Sequence, residues 1–544
     1  MFLQSIKVEN YRAIQKGQLS LDKSIAVIGE NDSGKTSLLD ALNKCLSAFY
    51  LENPFIPDKK HFYHKPGAQT ANGPIRIELE FIERYPKEWN GTLYLNLQDL
   101  LVHRSNVKNR FILSFRTRYS SDSSVQCEWM LRNPVANKTT SDPTIIDGIR
   151  KLNPIIHLSA GLLTGRGLDK LEPSEFEITK NTFPDKLQEH VKQVKECANK
   201  LLSGNSIHHM HDVEKGYQSA LELNEYLAAI QPDNGISLDI RKKDTRRKGE
   251  LLRSGSNSEK LGTLLIMNAL IEVCGSTILS EVDPIWVIED PEAHLHKMTL
   301  ASVTNIIKGI NGQKVITTNS GGLLANIPLH QVRRLQRNEG VISEYYMPKN
   351  SLSKDDIRRV NYHVRTHRNS AFFSRVWLLV EGETEFWILP RLARVLGYDF
   401  RLEGITCVEY AQSGLRPLLR IAEKLNIQWL MLSDGDNAGY KYANQARHYN
   451  GKSGEGQICV FPARDIEHYL WENGFDDVYI RLSRTRIPRE RLNAGRTIKS
   501  AIRNYSKPHL ALSIIEAASG EKGIAVPGEL VRFIEDCVKV AREQ

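Results

Sequence analysis

The run LMLSDGDNAGYK, residues 430–441, ends an apolar stretch on two carboxylates one residue apart, Asp434 and Asp436. Like charges that close repel, so they need either a cation or the solvation of an open turn. Further acids follow two other apolar stretches. In VWLLVEGETEFWILP, residues 376–390, Glu381 closes the stretch, Gly382 permits a tight turn, and Glu385 comes four residues after Glu381. In ICVFPARDIEHYL, residues 458–470, Asp465 and Glu467 stand in the corresponding place. If the three stretches are strands of one parallel sheet, their acids meet at one rim, where such sheets bind ligands. An all-oxygen donor set suits Mg²⁺ or Mn²⁺. Two such ions about 4 Å apart can activate water and stabilise a leaving oxygen in phosphodiester cleavage. The expected metal-binding and catalytic acids are Glu381, Glu385, Asp434, Asp436 and Glu467, with Asp465 beside them. The bland alternative is a set of separate acidic loops.

A second chemical pattern lies near the N-terminus. GENDSGKT, residues 29–36, fits GxxxxGK[ST]. In such a loop Gly29 and Gly34 let the backbone turn its N–H groups toward phosphate oxygens, Lys35 reaches the β- and γ-phosphates, and Thr36 can hold Mg²⁺. Asn31 and Ser37 complete the candidate nucleotide contacts. The N-terminus of the helix behind the loop adds partial positive charge. The matching acids are in WVIEDPEAHLH, residues 286–296, where an apolar strand ends in Glu289 and Asp290. One of these carboxylates can hold the Mg²⁺ shell and the other can polarise an attacking water; Glu289 is counted among the metal-binding residues and Asp290 among the nucleotide-site residues. His294 and His296 are two residues apart, a spacing at which a helix does not bring both to one metal, so a loop or partner-contact role is expected. In KVITTNS, residues 314–320, Asn319 can hydrogen-bond a γ-phosphate or water but cannot carry a proton, so nucleotide hydrolysis is expected to be slow.

The elements that must hold these residues read as follows. Residues 1–50 go strand, turn, strand, Gly-rich loop, helix, with Leu38, Leu39 and Leu42 on one helical face. IRIELEF at 75–81 and RFILSFRTRY at 110–119 read as strands. Residues 185–230 have helical periodicity and few β-branched residues, a helical insertion. A basic run, RKKDTRRK at 241–248, precedes the apolar helix 261–274, and the polar, basic stretch 349–370 resembles a linker. Strand–helix alternation occurs on both sides of that stretch, so the expected fold is α/β with two domains built on parallel sheets.

Size and composition agree. A chain of 544 residues is too long for one ordinary core. Apolar content of 41% and charged content of 25% are those of a globular protein. A net charge of +9 is compatible with a nucleic-acid partner. Seven cysteines without a CxxC pair argue against a disulfide framework and against zinc, and fit a reducing cytoplasm. The N-terminus lacks a signal-peptide apolar region, and no run is long enough to span a membrane.

The order of phosphate loop, long insertion, SNSEK, EDPEAHLH and TTNS resembles the ATPase of the ABC, SMC and RecF type. The resemblance implies that Ser256 to Lys260 form the signature loop that contacts a nucleotide held by a second subunit. Asn257 and Ser258 stand where that loop usually has two glycines, and Asn319 where relatives usually have histidine. The downstream acids resemble the Toprim domain shared by topoisomerases, bacterial primases and some nucleases. ATPase followed by Toprim in one chain resembles the OLD (overcoming lysogenisation defect) family of nucleases. The likeness extends to KPHLALSIIE, residues 507–516, and implies that Lys507 steadies the scissile phosphate. It implies an ABC-type ATPase in residues 1–165 and 236–350, a dimerising helical insertion at 166–235, a linker at 351–372 and a Toprim nuclease domain at 373–544. It also implies ATP with Mg²⁺ or Mn²⁺ as cofactors, a homodimer, and a role in anti-phage defence, in some relatives with a helicase or with a retron reverse transcriptase and its DNA.

Between Arg481 and Lys507 lie nine basic residues against the single acid Glu490, a wall suited to a phosphodiester backbone beside the acids. The runs 241–248 and 358–368 are second-choice contacts. Rival readings are an ATP-gated DNA clamp or repair scaffold with an inactive Toprim domain, and a topoisomerase or primase. The strand-cutting tyrosine domain or nucleotidyl-transfer module that the last two require is not recognisable in the sequence.

Overall fold

A computed structural model describes residues 1–46, 55–65, 67, 73–104, 106–119, 125–153, 155–158, 284–292, 304, 307–308, 312–366, 368–450, 457–519 and 523–543. The 185–230 insertion, the basic run 241–248, Ser256 with the rest of SNSEK, the apolar stretch 261–274, and His294 and His296 lie outside the described residues. The chain divides into two compact units, Met1–Glu344 and Tyr345–Gln544.

Among the described residues of the first unit, twelve strands form one sheet. Its strands are β1 (Phe2–Tyr11), β2 (Ile14–Ser20), β3 (Ser24–Ile28), β4 (Arg76–Ile82), β5 (Arg110–Tyr119), β6 (Val125–Asn133), β7 (Lys138–Thr140), β8 (Ile155–Leu158), β9 (Ile285–Glu289), β10 (Gln313–Thr317), β11 (Val332–Asn338) and β12 (Val341–Tyr346). The spatial order is β7-β6-β5-β4-β1-β2-β12-β11-β3-β10-β9-β8. The expected parallel arrangement holds where β8, β9, β10, β3 and β11 pair. The neighbours of β1, and β4 through β7, pair antiparallel, so this sheet is mixed. The periodicity reading passed over β2 because IQKGQLS is polar and carries Gly17. It pairs with β1 on one side and β12 on the other, and its two apolar residues, Ile14 and Leu19, are buried in the core.

The central strands are buried on both faces, as parallel strands under helices must be. Ile25, Ala26, Val27 and Ile28 of β3 are buried, as are Val287 and Ile288 of β9 and Val315 and Ile316 of β10. The helix Lys35–Leu46 covers them with Leu38, Leu39 and Leu42, the face its spacing predicts.

The second unit carries a four-stranded, all-parallel sheet: β13 (Val376–Val380), β14 (Ile405–Glu409), β15 (Gln428–Ser433) and β16 (Ile458–Val460), in the order β14-β13-β15-β16. The helix Glu383–Val395 packs against Lys507–Ser519, and Gly528–Arg542 packs against β13, β14 and β15. Their apolar faces share one core with Leu378, Leu430, Leu510 and Ile534. The stretch read as a linker contains the helix Lys354–Val360, begun by a Ser353 cap, and buries Val360, Val364 and Phe372. Among the described residues no helix is long and apolar enough to cross a membrane.

Candidate functional site

In the first unit three parallel strands end side by side. β10 lies between β3 and β9, with Thr317 opposite both Val27 and Glu289. The loop after β3, the acids after β9 and the Thr318–Asn319 turn after β10 therefore share one edge. Gly34 has a φ of +91°, a conformation that favours glycine, and a Cβ there would displace the end of the Ile342 side chain, 2.2 Å away at Cδ1. Thr36 is exposed at the start of the helix Lys35–Leu46, Ser37 is half-buried, and Asn31 is exposed on the loop. Lys35 Nζ donates to the carbonyls of Gly29 (2.8 Å) and Glu30 (2.9 Å) and to Ser33 Oγ (3.3 Å). Burial lowers the Lys35 pKa, and the charges of Asp290, Asp32 and Glu30 oppose the shift.

Glu289 closes β9 and Asp290 follows at a φ of +43°. A left-handed backbone costs a non-glycine residue about 1 kcal/mol or more and is a feature of functional turns. The Asp290 backbone N–H donates to Thr317 Oγ1 (3.1 Å), and Asn319 Nδ2 donates to Asp290 Oδ1 (3.4 Å). Burial raises the Asp290 pKa, opposed by Lys35. Glu292, which sequence reasoning left without a role, joins them. Its Oε1 accepts from Thr318 Oγ1 (2.7 Å) and from the Asn319 backbone N–H (2.8 Å), while its buried Oε2 has no hydrogen-bond partner. Two acids beyond a strand end look alike in a sequence, and only the facing turn shows which one holds Asn319.

In the second unit Glu381, Asp434 and Asp465 follow β13, β15 and β16, adjacent parallel strands of one sheet. Glu385 is 5% exposed in the first turn of the helix Glu383–Val395. Glu467 is buried, and its Oε1 accepts from Thr384 Oγ1 (2.8 Å), tying the helix after β13 to the turn after β16. The Tyr410 hydroxyl lies 3.3 Å from Glu381 Oε2 and from the Leu432 carbonyl, and the Asp434 backbone N–H donates to the Glu381 carboxylate. Neither Thr384 nor Tyr410 carries a sequence signal of this role.

The two aspartates of the DGD turn do different work. Asp436 Oδ1 accepts from the N–H groups of Ala438 (2.9 Å) and Gly439 (2.8 Å), so it anchors the start of the helix Asn437–Asn450. Asp434 Oδ1 is buried with no hydrogen-bond partner. Burial, then the charges of Glu385, Glu381, Glu467 and Asp465, push its pKa up to about 9. Glu385 is pushed up to about 7 by burial and by Glu467, against the pull of Lys507. Glu381 and Glu467 are also raised, burial being the largest cause in each. Asp465 is the N-cap of the helix Ile466–Leu470, with Oδ1 accepting from the His468 backbone N–H (2.9 Å) and lying 2.6 Å from His468 Nδ1.

An orphaned, buried carboxylate oxygen among four other acids fits the chemistry of a hard divalent cation. The side chains as they stand are spread along the rim, and among the described residues no three of His, Cys, Asp and Glu close around a single point.

Gly435 sets how closely the acids approach. A Cβ there would lie 2.3 Å from the Ala463 carbonyl oxygen and 2.5 Å from that of Phe461, in the chain leading from β16 to Asp465. Gly435→Ala is expected to push the two turns apart. In a site that cleaves phosphodiesters, loss of about an ångström of alignment costs roughly 100-fold in rate. Cleavage rates, with circular dichroism to verify folding, test this; an unchanged rate would show that the approach is unimportant.

Residues 1–371 match the model of a family described as "Protein of unknown function (DUF2813)". Residues 372–436 match the model "Overcoming lysogenization defect protein-like, TOPRIM domain". The chain is 29% identical over 566 residues to the uncharacterized protein YbjD of Escherichia coli (strain K12), across 100% of this chain and 99% of that one. It is 22% identical over 468 residues to the OLD nuclease of Thermus scotoductus, across 80% of this chain and 82% of that one. Among solved structures, the C-terminal region of the Xanthomonas campestris pv. campestris OLD protein matches 32% of this chain and 97% of its own length at 21% identity, with a TM-score of 0.28. By its match over residues 1–371, followed by the Toprim match, the chain belongs to the DUF2813 family and carries a Toprim domain of the overcoming-lysogenization-defect type.

Proposed function

We propose that the chain is an ATP-binding, divalent-metal-dependent DNA endonuclease or nickase that acts in anti-phage defence. The observation that carries this reading is the buried Asp434 Oδ1, unpartnered among the described residues at the mouth of a parallel sheet, on a carboxyl whose pKa is raised by burial and then by four neighbouring acids. The likeness to an OLD nuclease supports it. Glu381, Glu385, Asp434, Asp436 and Glu467 are the residues that would hold Mg²⁺ or Mn²⁺. When bound there, the metal supplies Lewis acidity for phosphodiester hydrolysis. The chain's own residues set the stage: Thr384 orients Glu467, and the Tyr410 hydroxyl and the Asp434 N–H orient Glu381. Lys507, whose charge acts on Glu385 and Glu467, stabilises negative charge on the phosphate.

In this reading residues 1–165 and 236–350 form an ABC-type ATPase, with a dimerising helical insertion at 166–235 between them. Gly29, Asn31, Gly34, Lys35, Thr36 and Ser37 grip ATP and its Mg²⁺, and Glu289 and Asp290 face them. Ser256 of a second subunit completes each site in a homodimer. Glu292 holds the Thr318–Asn319 turn. Glu292→Ala is expected to leave ATP affinity largely intact and to slow turnover roughly ten-fold through two lost hydrogen bonds. Phosphate release measured alongside nucleotide binding separates the two effects, and wild-type turnover would remove the role given to Glu292.

One observation favours a second reading, an ATP-gated DNA scaffold with an inactive Toprim domain: the acids do not close around a point as they stand. Cleavage of supercoiled plasmid, nicked circle, linear duplex and single strand, with and without ATP in Mg²⁺ and in Mn²⁺, decides between them. Metal-dependent nicking of at least one form is expected. Intact DNA in every combination would favour the scaffold.

A further inference from the structure

Beside the acidic rim, at the corner between the helices Ala494–Asn504 and Lys507–Ser519, three side chains are stacked or hydrogen-bonded in series. The rings of Tyr505 and His509 lie 4.7 Å apart at 14°, a stacked pair. Arg484 donates from Nε (3.1 Å) and Nη2 (2.8 Å) to the Tyr505 hydroxyl. Arg484 ends the helix Asp476–Ser483 at a φ of +52°, a left-handed conformation that a non-glycine residue holds only where its surroundings enforce it. The corner is pinned from below as well. Asn504 Nδ2 donates to the Ser483 carbonyl (3.0 Å), and Ser500 Oγ donates to the same carbonyl (3.3 Å). Tyr505 is thus held at both ring and hydroxyl. His509 is exposed, and with one ring face covered by Tyr505 its exposure is through the other face and the edge. Lys507 lies between the two rings in sequence, and its charge acts on Glu385 and Glu467. Arg496, Lys499 and Arg503 are exposed on the helix leading into this corner.

We infer that His509, backed by Tyr505 and Arg484, is a stacking platform for one unpaired nucleobase of a strand whose phosphate lies at Lys507. This inference rests on the nucleic-acid reading above and names its substrate class: strands with an unpaired base beside the cut, such as single strands, gaps and flaps. A base inside a duplex has both faces occupied by its neighbours, so a ring platform engages only a base that has left the stack. Base–aromatic stacking is tolerant of sequence, in keeping with the lack of a base-reading motif. A rigid platform also spares the cost of ordering the side chains on binding.

The test uses the full-length chain in Ca²⁺. Binding is read from the anisotropy of a labelled single strand and of the same sequence as a duplex, and from the fluorescence of 2-aminopurine placed at successive positions in the strand. The wild type is expected to prefer the single strand and to quench 2-aminopurine at one position. His509→Ala is expected to weaken single-strand binding roughly ten-fold and abolish the quench, the scale of one base–aromatic contact. His509→Phe keeps a ring and is expected to retain both. Tyr505→Ala is expected to behave like His509→Ala, and thermal melts of each variant verify folding. Unchanged binding by His509→Ala, equal wild-type affinity for strand and duplex, or rescue by His509→Lys but not by His509→Phe would overturn the platform. If no DNA is cut in Mg²⁺ or Mn²⁺ while the His509-dependent quench persists, the platform stands and the nuclease reading falls. If DNA is cut but His509→Ala binds as the wild type does, the reverse holds.

Discussion

Asp434→Asn is expected to lower metal-dependent DNA cleavage by at least about 100-fold, the scale of removing one preorganised charge contact from an active site. ATP binding by the phosphate loop is expected to persist, because no residue of that loop takes part in the acidic rim. The variant keeps the shape of the side chain and removes only its capacity to become an anion. The same substitution has a signature in stability. With no metal bound, the folded chain holds the Asp434 proton up to about pH 9, whereas the ordinary value is 3.8. Between those values the folded state binds more protons than the unfolded one, so stability falls as pH rises through the window. Glu385, pushed up to about 7, adds to the fall over the lower part of that range. Chelator-treated wild type is therefore expected to melt at a lower temperature at pH 8 than at pH 5.5, and Asp434→Asn to show a smaller decline. Added Mg²⁺ or Mn²⁺ displaces the bound proton, so apparent metal affinity is expected to rise with pH. Thermal melts across pH with and without metal, alongside cleavage rates, test both effects. A variant that cuts at the wild-type rate, or a wild type whose melting is insensitive to metal at pH 8, would remove the acidic rim from the mechanism.

Lys35→Ala is the second large effect. The ammonium is the loop's own cation, and in the structure it is aimed across the carbonyls of Gly29 and Glu30. Charge-assisted hydrogen bonds to phosphate contribute about 1.5–3 kcal/mol each. Loss of two of them is expected to weaken ATP binding by about 100-fold or more. In the proposed dimer the nucleotide bridges two subunits, so ATP-dependent dimerisation is expected to be lost with it. Calorimetry with ATP and light scattering with and without ATP measure the two. Wild-type ATP affinity in this variant would sink the phosphate-loop reading, and a dimer unaffected by ATP would separate assembly from nucleotide.

Comparing the two sites shows how far a sequence carries such an argument. The glycine-rich loop was legible because its pattern is local: Gly34, Lys35 and Thr36 are neighbours in the chain, and the strand before and helix after them have their own periodicity. The acidic rim was legible as a list, because each acid lies at or within a few residues of the end of an apolar run. The polar strand β2 was not legible, nor was β14, whose five residues ITCVE carry too weak a pattern beside stronger runs.

The amino-acid sequence alone determined the α/β alternation, the position of the glycine-rich loop between strand and helix, and the order of Glu381, Glu385, Asp434, Asp436 and Glu467, since these depend on residue type and short spacing. Tertiary structure alone decided which acids share an environment and what each one does. Asp436 and Asp465 are drawn into helix caps, Glu292 is claimed by the turn after β10, and Asp434 is left with an oxygen that no described residue satisfies. Those outcomes depend on strand order and on close backbone approach, such as that of Gly435 to the chain after β16. The strands concerned are brought together by pairing across dozens of residues of intervening chain, a distance over which no local pattern reports.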